Sequence, residues 1–383
     1  MRLTIRLALF PVLLLGPVAS FAANIPPDSI PGTLSFLFVG DVMGHSPQIS
    51  SAYDSVTHTY RYDSVFCRMA PVFGLADVTI ANLEVTLAGK PFTGYPQFSS
   101  PDALAQSLKD AGVDIVVTAN NHSADRGKKG IVRTIKVLDS LGIPHTGTFL
   151  DSVHRDSVYP LVIERKGFRF ALLNYTYGTN GIPVPSPVIV NPIDTALIRA
   201  DYRKALSRGV DEVIVFLHWG NEYERTPGVA QRRVSEFCHR LGIRTVIGSH
   251  PHVIQRMEAT PDTDSTRGKV VVFSLGNFVS NQRDQFRDGG VLSYIRYSRG
   301  TSSVKIDRTG YILSWVHIPI RNGRKTYQVL PVSQYEIKSN YFNDSDYKLL
   351  SRFASDSRRL LNDENAGFPE IVFSPDMGEW LIP

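Results

Sequence analysis

Several features that would assign the 383-residue chain to a class at sight are scarce or missing. It has two cysteines, Cys67 and Cys238, both in predicted helices. An exported protein could join them, but the preferred reading is two small buried hydrophobes rather than a disulfide. No block of like charge exceeds the pairs Lys128-Lys129 and Arg232-Arg233, so the clustered basic surface of a nucleic-acid binder is lacking. There is no internal repeat and no low-complexity segment. The apolar run Leu7 to Val18 is interrupted by Pro11 and Pro17 and falls short of the ~20 residues of a spanning helix. No cysteine follows that run, which argues against lipid attachment there.

The first 22 residues instead have the pattern of a secretory signal. Arg2 and Arg6 form a basic start, the apolar run follows, and Ser20-Phe21-Ala22 supplies small residues for cleavage. The expectation is an exported chain, periplasmic or at the cell surface, with an uncleaved N-terminal anchor as the less favoured alternative. Loss of residues 1–22 removes Arg2 and Arg6, their only charged side chains, and takes the formal charge from +5 to +3. The remaining chain, with 43% hydrophobic residues overall, is long enough for one large α/β core or a core plus a small appendage.

After a Pro-rich linker, Ile25 to Pro31, apolar strands and amphipathic helices alternate. Leu34 to Val39 reads as a buried strand that ends in Gly40-Asp41. Further strands are expected at Val78 to Ala81, Val113 to Thr118, Leu161 to Glu164, Phe168 to Tyr175, Glu212 to Leu217, Arg244 to Ile247, Val270 to Leu275 and Val291 to Tyr297. Helices are expected at Ser64 to Gly74, Ala103 to Ala111, Lys129 to Leu141, Thr195 to Arg208 and Val229 to Leu241. A proline-rich loop, Gly181 to Pro192, either covers a site or bridges two halves. Residues 33–307 form the expected main domain. Residues 308–383, with strands through Tyr311 to Ile320 and a helix near Tyr347 to Leu361, complete it or are appended to it. The pattern fits a layered α/β sandwich with mixed sheets.

Six short motifs fall just after predicted strands: Gly40-Asp41-Val42-Met43-Gly44-His45, Asn82-Leu83-Glu84, Asn120-Asn121-His122, His218-Trp219-Gly220, Gly248-Ser249-His250-Pro251-His252 and Ser274-Leu275-Gly276-Asn277-Phe278. Strand carboxyl ends share one edge of an α/β sheet, so these loops can meet in one crevice. Imidazole nitrogen and carboxylate oxygen together suit zinc, manganese or iron, and the lack of Cys in the motifs argues against iron–sulfur or zinc–thiolate chemistry. His250 and His252, two apart on an extended loop, are expected to project the same way. Taken singly, each motif has an ordinary structural explanation. Gly-Asp is common turn chemistry, His218 could be a satisfied core histidine, and Trp219 and Phe278 could be core aromatics rather than pocket walls. The loop Asp284 to Gly289 carries mixed charge and reads as solvated, with substrate contact as the alternative.

The ordered set of motifs, spanning Phe36 to Phe278, resembles the CapA family of poly-gamma-glutamate capsule-synthesis proteins, related to calcineurin-like metallophosphoesterases. The resemblance implies a four-layer α/β/β/α fold and a divalent metal site of one or two ions. Asp41 resembles a ligand of the first metal, Glu84 stands where a bridging aspartate is usual, and Asn121 is similar to the asparagine ligand. His122 resembles the histidine that protonates the leaving group. His218 and His250 are similar to ligands of the second metal and His252 to a ligand of the first. Met43 stands where the hydrolases carry a histidine, which leaves the first metal short of a ligand unless His45 or a water replaces it. Asn82, Asn120, Trp219 and Asn277 are expected to line the pocket. The function implied is a metal-dependent hydrolase or transferase acting on an anionic polymer, poly-gamma-glutamate, or on a phosphoester. The alternative is a non-catalytic polymer-binding subunit working with membrane-embedded capsule-synthesis partners.

Overall fold

The structure, a computed structural model, describes residues 32–383 except 261, 264–266, 301–302, 322 and 338–339. The signal and linker expected from the sequence lie outside the described residues. The described residues open with β1 (Thr33–Val42), α1 (Ser46–Ala52), β2 (Val78–Leu83), α2 (Ala103–Ala111), β3 (Ile115–Val117), α3 (Gly127–Leu141) and β4 (His145–Thr146). A second run comprises β5 (Leu161–Arg165), β6 (Phe168–Thr176), α4 (Thr195–Ser207), β7 (Glu212–His218), α5 (Val229–Leu241), β8 (Thr245–Ser249), β9 (Met257–Thr260) and β10 (Lys269–Val272). Then come β11 (Asn277–Val279), β12 (Gly289–Arg299), β13 (Val304–His317), β14 (Gln328–Pro331) and the long helix α6 (Asp344–Glu364).

One sheet has the order β14-β13-β12-β1-β2-β3-β4, with β11 also pairing β1, and the other has the order β9-β10-β8-β7-β6-β5. Both are mixed. Strands β1, β2, β3 and β11 run parallel in the first, and β6, β7, β8 and β10 in the second.

Side-chain alternation turns these sheets into layers. On β1, Leu37 and Val39 join a core with Leu104 and Leu108 of α2 and Leu138 of α3. The intervening Leu34, Phe36 and Phe38 point the other way and meet Phe170, Leu172, Ile214 and Phe216 of the second sheet. On that sheet Leu173, Val215 and Leu217 face outward against Ile198 of α4 and Cys238 of α5. Four layers, α/β/β/α, therefore follow from period-2 alternation on strands that are apolar on both faces. Each such Phe, Leu or Ile, fully buried, contributes on the order of 1.5–3 kcal/mol of transfer free energy.

Local differences from the expected elements are few. The helix expected at Ser64 to Gly74 is two single turns, Asp63–Phe66 and Ala70–Phe73, with Pro71 in the first turn of the second. The strand expected to reach Leu275 stops at Val272, and the C-terminal strand runs from Val304 to His317, crossing residue 307 without a break. Helix α6 places Leu350, Phe353 and Leu361 in the core between the sheets. The loop before α4 packs Val188 and Val190 against Ile131 and Ile135 of α3. Cys67 is exposed, Cys238 is buried, and both are free thiols. Among the described residues no helix is long and apolar enough to cross a membrane.

Candidate metal centre

The alternation that builds the layers also determines which polar residues face inward at the strand ends. Ile80 of β2 lies in the inter-sheet core and Leu83 in the helix-side core, so Asn82 and Glu84 continue the inter-sheet face. By the same count His218 follows Phe216 and Ser249 follows Ile247. Asp41 follows Leu37 and Val39, which would aim it at the helices. A β-bulge prevents this: Val39 pairs with Ala81 but Asp41 pairs with Asn82, leaving Gly40 as the extra residue. The bulge is possible because Gly40 lies against Gly276, whose carbonyl oxygen would sit 2.1 Å from a Cβ at position 40. Gly276 itself has φ +70° and accepts the Asp41 N–H at 3.0 Å.

The site is thus a buried crevice capping the core between the sheets. Asp41 Oδ1 accepts from Asn82 Nδ2 at 2.8 Å, and Oδ2 lies 3.1 Å from His252 Nδ1 and accepts the His250 N–H at 3.3 Å. His252 Nδ1 also meets Asn277 Oδ1 at 3.0 Å, and with two acceptors at Nδ1 its Nε2 carries the free lone pair. That Nε2 is 3.7 Å from Glu84 Oε1, and His218 Nε2 is 3.5 Å from the same oxygen. His218 Nε2 lies 2.9 Å from Asn121 Oδ1, while its Nδ1 lies 3.0 Å from Ser249 Oγ, a hydroxyl that can serve either tautomer. Asn120 Nδ2 donates to Leu83 O and to Asn82 Oδ1, joining the β2 and β3 loops.

Among the described residues two donor groups emerge, Asp41–Glu84–His218 and Glu84–His250–His252, each with its ligand atoms within 4.8 Å of one another. Glu84 lies in both. The groups cut across the division implied by the resemblance, which assigns Asp41 and His252 to one ion and His218 and His250 to the other.

The electrostatics fit a cation. Burial, then the Asp41 charge, pushes the Glu84 carboxyl well above its ordinary range. Burial also acts to raise Asp41, but hydrogen bonds from His252 and Asn82 outweigh it and hold that carboxyl low. Burial and neighbouring histidines drive His218 far down and His250 to about 3, so both present neutral imidazoles, the form that ligates metal. Glu84 Oε1 and His250 Nδ1 are buried with no hydrogen-bond partner among the described residues. Such orphaned atoms cost about 1–3 kcal/mol each unless something binds them, and a divalent ion matches this N/O donor set.

His250 and His252 come together for a different reason from the strand alternation expected. Both have left-handed backbones, φ 102° and 57°, and their rings are 6.0 Å apart. His45 belongs to neither donor group. Its Nδ1 is 3.1 Å from Gln48 Oε1 and accepts the Asn281 N–H at 3.3 Å, while Met43 is buried in the helix-side core. Trp219 packs on Phe273, to whose carbonyl its Nε1 donates at 2.9 Å, and Phe278 stacks on Phe66 in the helix-side core. Asn277 Nδ2 donates to the carbonyl of Arg287 at 2.8 Å and to Gln282 Oε1.

Beside the donors, His122 Nδ1 donates to Asp125 Oδ2 at 2.8 Å, and both side chains are buried. The Phe98 N–H fixes the same carboxylate oxygen at 2.7 Å, and the Phe98 ring meets His122 edge-on. Asp125 escaped the sequence reading, although a carboxylate three residues after a candidate proton donor was a visible signal. Tyr177 and Tyr223, which lie over His250 and near His252, belong to no motif.

The profile of the family Bacterial capsule synthesis protein PGA_cap matches residues 35–282, well over half of the chain and every motif described above. The chain belongs to this family. It is 27% identical over 289 residues to the capsule biosynthesis protein CapA of Bacillus anthracis, covering 71% of this chain and 66% of that protein. It is also 27% identical over 287 residues to the PGA biosynthesis protein CapA of Bacillus subtilis (strain 168), covering 71% and 70%. The matched stretch thus spans about two thirds of these relatives. Among solved structures, the calcineurin-like phosphoesterase YfkN from Bacillus subtilis aligns with 86% of this chain and 98% of its own, at 12% identity and a TM-score of 0.45. A likeness of that size decides nothing about the site. Family membership covers the stretch that carries the donors, His122 and Asn277.

Proposed function

We propose that this chain is an exported, metal-dependent hydrolase or transferase of capsule or related envelope polymer production, acting on poly-gamma-glutamate or on a phosphoester. The observation that carries this reading is the presence, in one buried crevice, of convergent donors with two ligand atoms unpartnered among the described residues and a carboxylate-backed imidazole. Asp41, Glu84, Asn121, His218, His250 and His252 would hold one or two divalent ions, with zinc, manganese and iron all compatible. A bound ion would bring a water's pKa toward neutrality and polarise the scissile group. His122, with Nδ1 committed to Asp125, keeps Nε2 for exchanging a proton with the leaving group. Asn82 orients both carboxylates, donating to Asp41 at 2.8 Å and Glu84 at 3.4 Å. Export rests on the pattern of residues 1–22.

A second reading, a non-catalytic polymer-binding subunit of a membrane complex, is favoured by the segment after Asp41. Met43 is turned into the core and His45 Nδ1 is occupied, so that segment adds nothing to the donor groups. The two readings separate in a hydrolysis screen with a phosphodiester and poly-gamma-glutamate under added zinc, manganese or iron. Turnover that is lost in His122→Ala supports the enzyme. Polymer binding without turnover under every metal supports the subunit.

A further inference from the structure

Two half-exposed tyrosines flank the donors. Tyr177 lies over His250 with ring centroids 4.5 Å apart, and Tyr223 lies 6.2 Å from the ring of His252. The guanidinium of Arg287 rests on Tyr223, 3.4 Å from the ring centroid. Both members of this stack are tied to the donor loops through their backbones. The Tyr223 N–H donates at 2.8 Å to the carbonyl of Pro251, the residue between His250 and His252. The Arg287 carbonyl accepts from Asn277, the residue that also meets His252. The arginine is therefore held at the site's edge.

Its charge is only loosely engaged. Arg287 Nη1 contacts Asp284 Oδ2 at 2.8 Å, but that carboxylate is 77% exposed, and an exposed pair of this kind is weak. A guanidinium offers five donors in a planar fork that matches carboxylate and phosphate oxygens, and stacking on an aromatic face fixes its plane. We propose that Arg287, seated on Tyr223, is a specificity-determining residue that receives an oxyanion of the substrate, a carboxylate or a phosphate, beside the donor groups. This rests on the hydrolase reading above. Asp284 competes with the substrate for the same guanidinium.

The test is equilibrium binding of two probes, a γ-glutamyl oligopeptide and phenyl phosphate, to the metal-loaded chain and its variants, with metal content and melting temperature measured on the same samples. Arg287→Gln should weaken binding of the recognised probe by about tenfold or more, the weight of a charge-assisted hydrogen bond. Arg287→Lys should weaken it less, because charge remains while the fork is lost. Asp284→Asn should tighten it roughly two- to fivefold by removing the competing carboxylate, a gain that a merely structural role for the loop would not give. Arg240→Gln, which removes an exposed arginine paired with Glu236 near the end of α5, should change nothing. The probe that responds identifies the oxyanion as carboxylate or phosphate. Unchanged affinity in Arg287→Gln with metal retained overturns the proposal, as does a metal-loaded wild type that binds neither probe. A wild type that takes up no metal overturns the hydrolase reading and this inference together, so metal content separates the two failures.

Discussion

Glu84 Oε1 faces His218 Nε2 at 3.5 Å, and this buried oxygen has no hydrogen-bond partner among the described residues. The same oxygen is 3.7 Å from His252 Nε2, which places one carboxylate atom between two imidazoles, one at the end of β7 and one in the loop that follows β8. A folded protein rarely keeps such an atom unsatisfied without a use for it. Glu84 belongs to both donor groups, and its substitution separates the stability of the fold from the capacity to bind metal.

Glu84→Gln removes a buried carboxyl whose ionisation is opposed by burial and by the Asp41 charge. Without metal, burial and then Asp41 raise the Glu84 carboxyl well above 4.5. A group raised in the folded state contributes its stability fully below its unfolded value and loses it as pH climbs through the folded pKa. Metal-free wild type should therefore lose stability as pH rises from about 4.5 upward, and the Gln variant should not lose this share. Calorimetry of stripped proteins at pH 5 and pH 8 should show the variant gaining on the wild type at the higher pH. An equal difference at both pH values would contradict the shift.

His122→Ala should lower turnover of whichever substrate is cleaved by about 10²- to 10⁴-fold, the range of a lost general acid. Asp125→Asn should cost less, since it misorients the imidazole without removing it. Metal content should be unchanged in both variants, as neither residue belongs to a donor group. Loss of metal in either would give this pair a different role.

The layers were legible because both sheets alternate cleanly. Phe36 and Phe38 against Leu37 and Val39 already describe a strand buried on two faces. The donors were legible as a set because each follows a strand. Their aim was not. Alternation along β1 sends Asp41 toward the helices, and only the bulge at Gly40, made by contact with a residue 236 positions later, turns it inward. The left-handed backbones of His250 and His252 were equally hidden, since histidine gives no local sign of positive φ. Tyr223 and Arg287 meet only through tertiary contacts of two loops.

Gly40→Ala tests that bulge. The added methyl would meet the Gly276 carbonyl oxygen, and because both partners are backbone the strand itself must move. The expected cost is about 1–3 kcal/mol of stability, as for overpacking in a dense interior, together with weaker metal binding as Asp41 shifts. Chemical denaturation with parallel metal titration checks both. Wild-type metal affinity in the variant would mean that the bulge does not position Asp41.

The free thiols give a simple check on the layers. Cys67 is exposed, whereas Cys238 is buried against the outer face of the second sheet, which pushes its thiol up to about 12. A thiol reagent at neutral pH should label one cysteine rapidly in the native protein and the second only on unfolding. Two fast sites, or none before reduction, would contradict this arrangement.

Elemental analysis of the purified protein, wild type beside Asp41→Ala and His250→Ala, tests the centre most directly. A metal centre predicts about one or two equivalents of a divalent ion in the wild type, with loss in both variants while the fold, followed by circular dichroism, is retained. No metal in the wild type under any loading condition, or full metal retention in both variants, would contradict it.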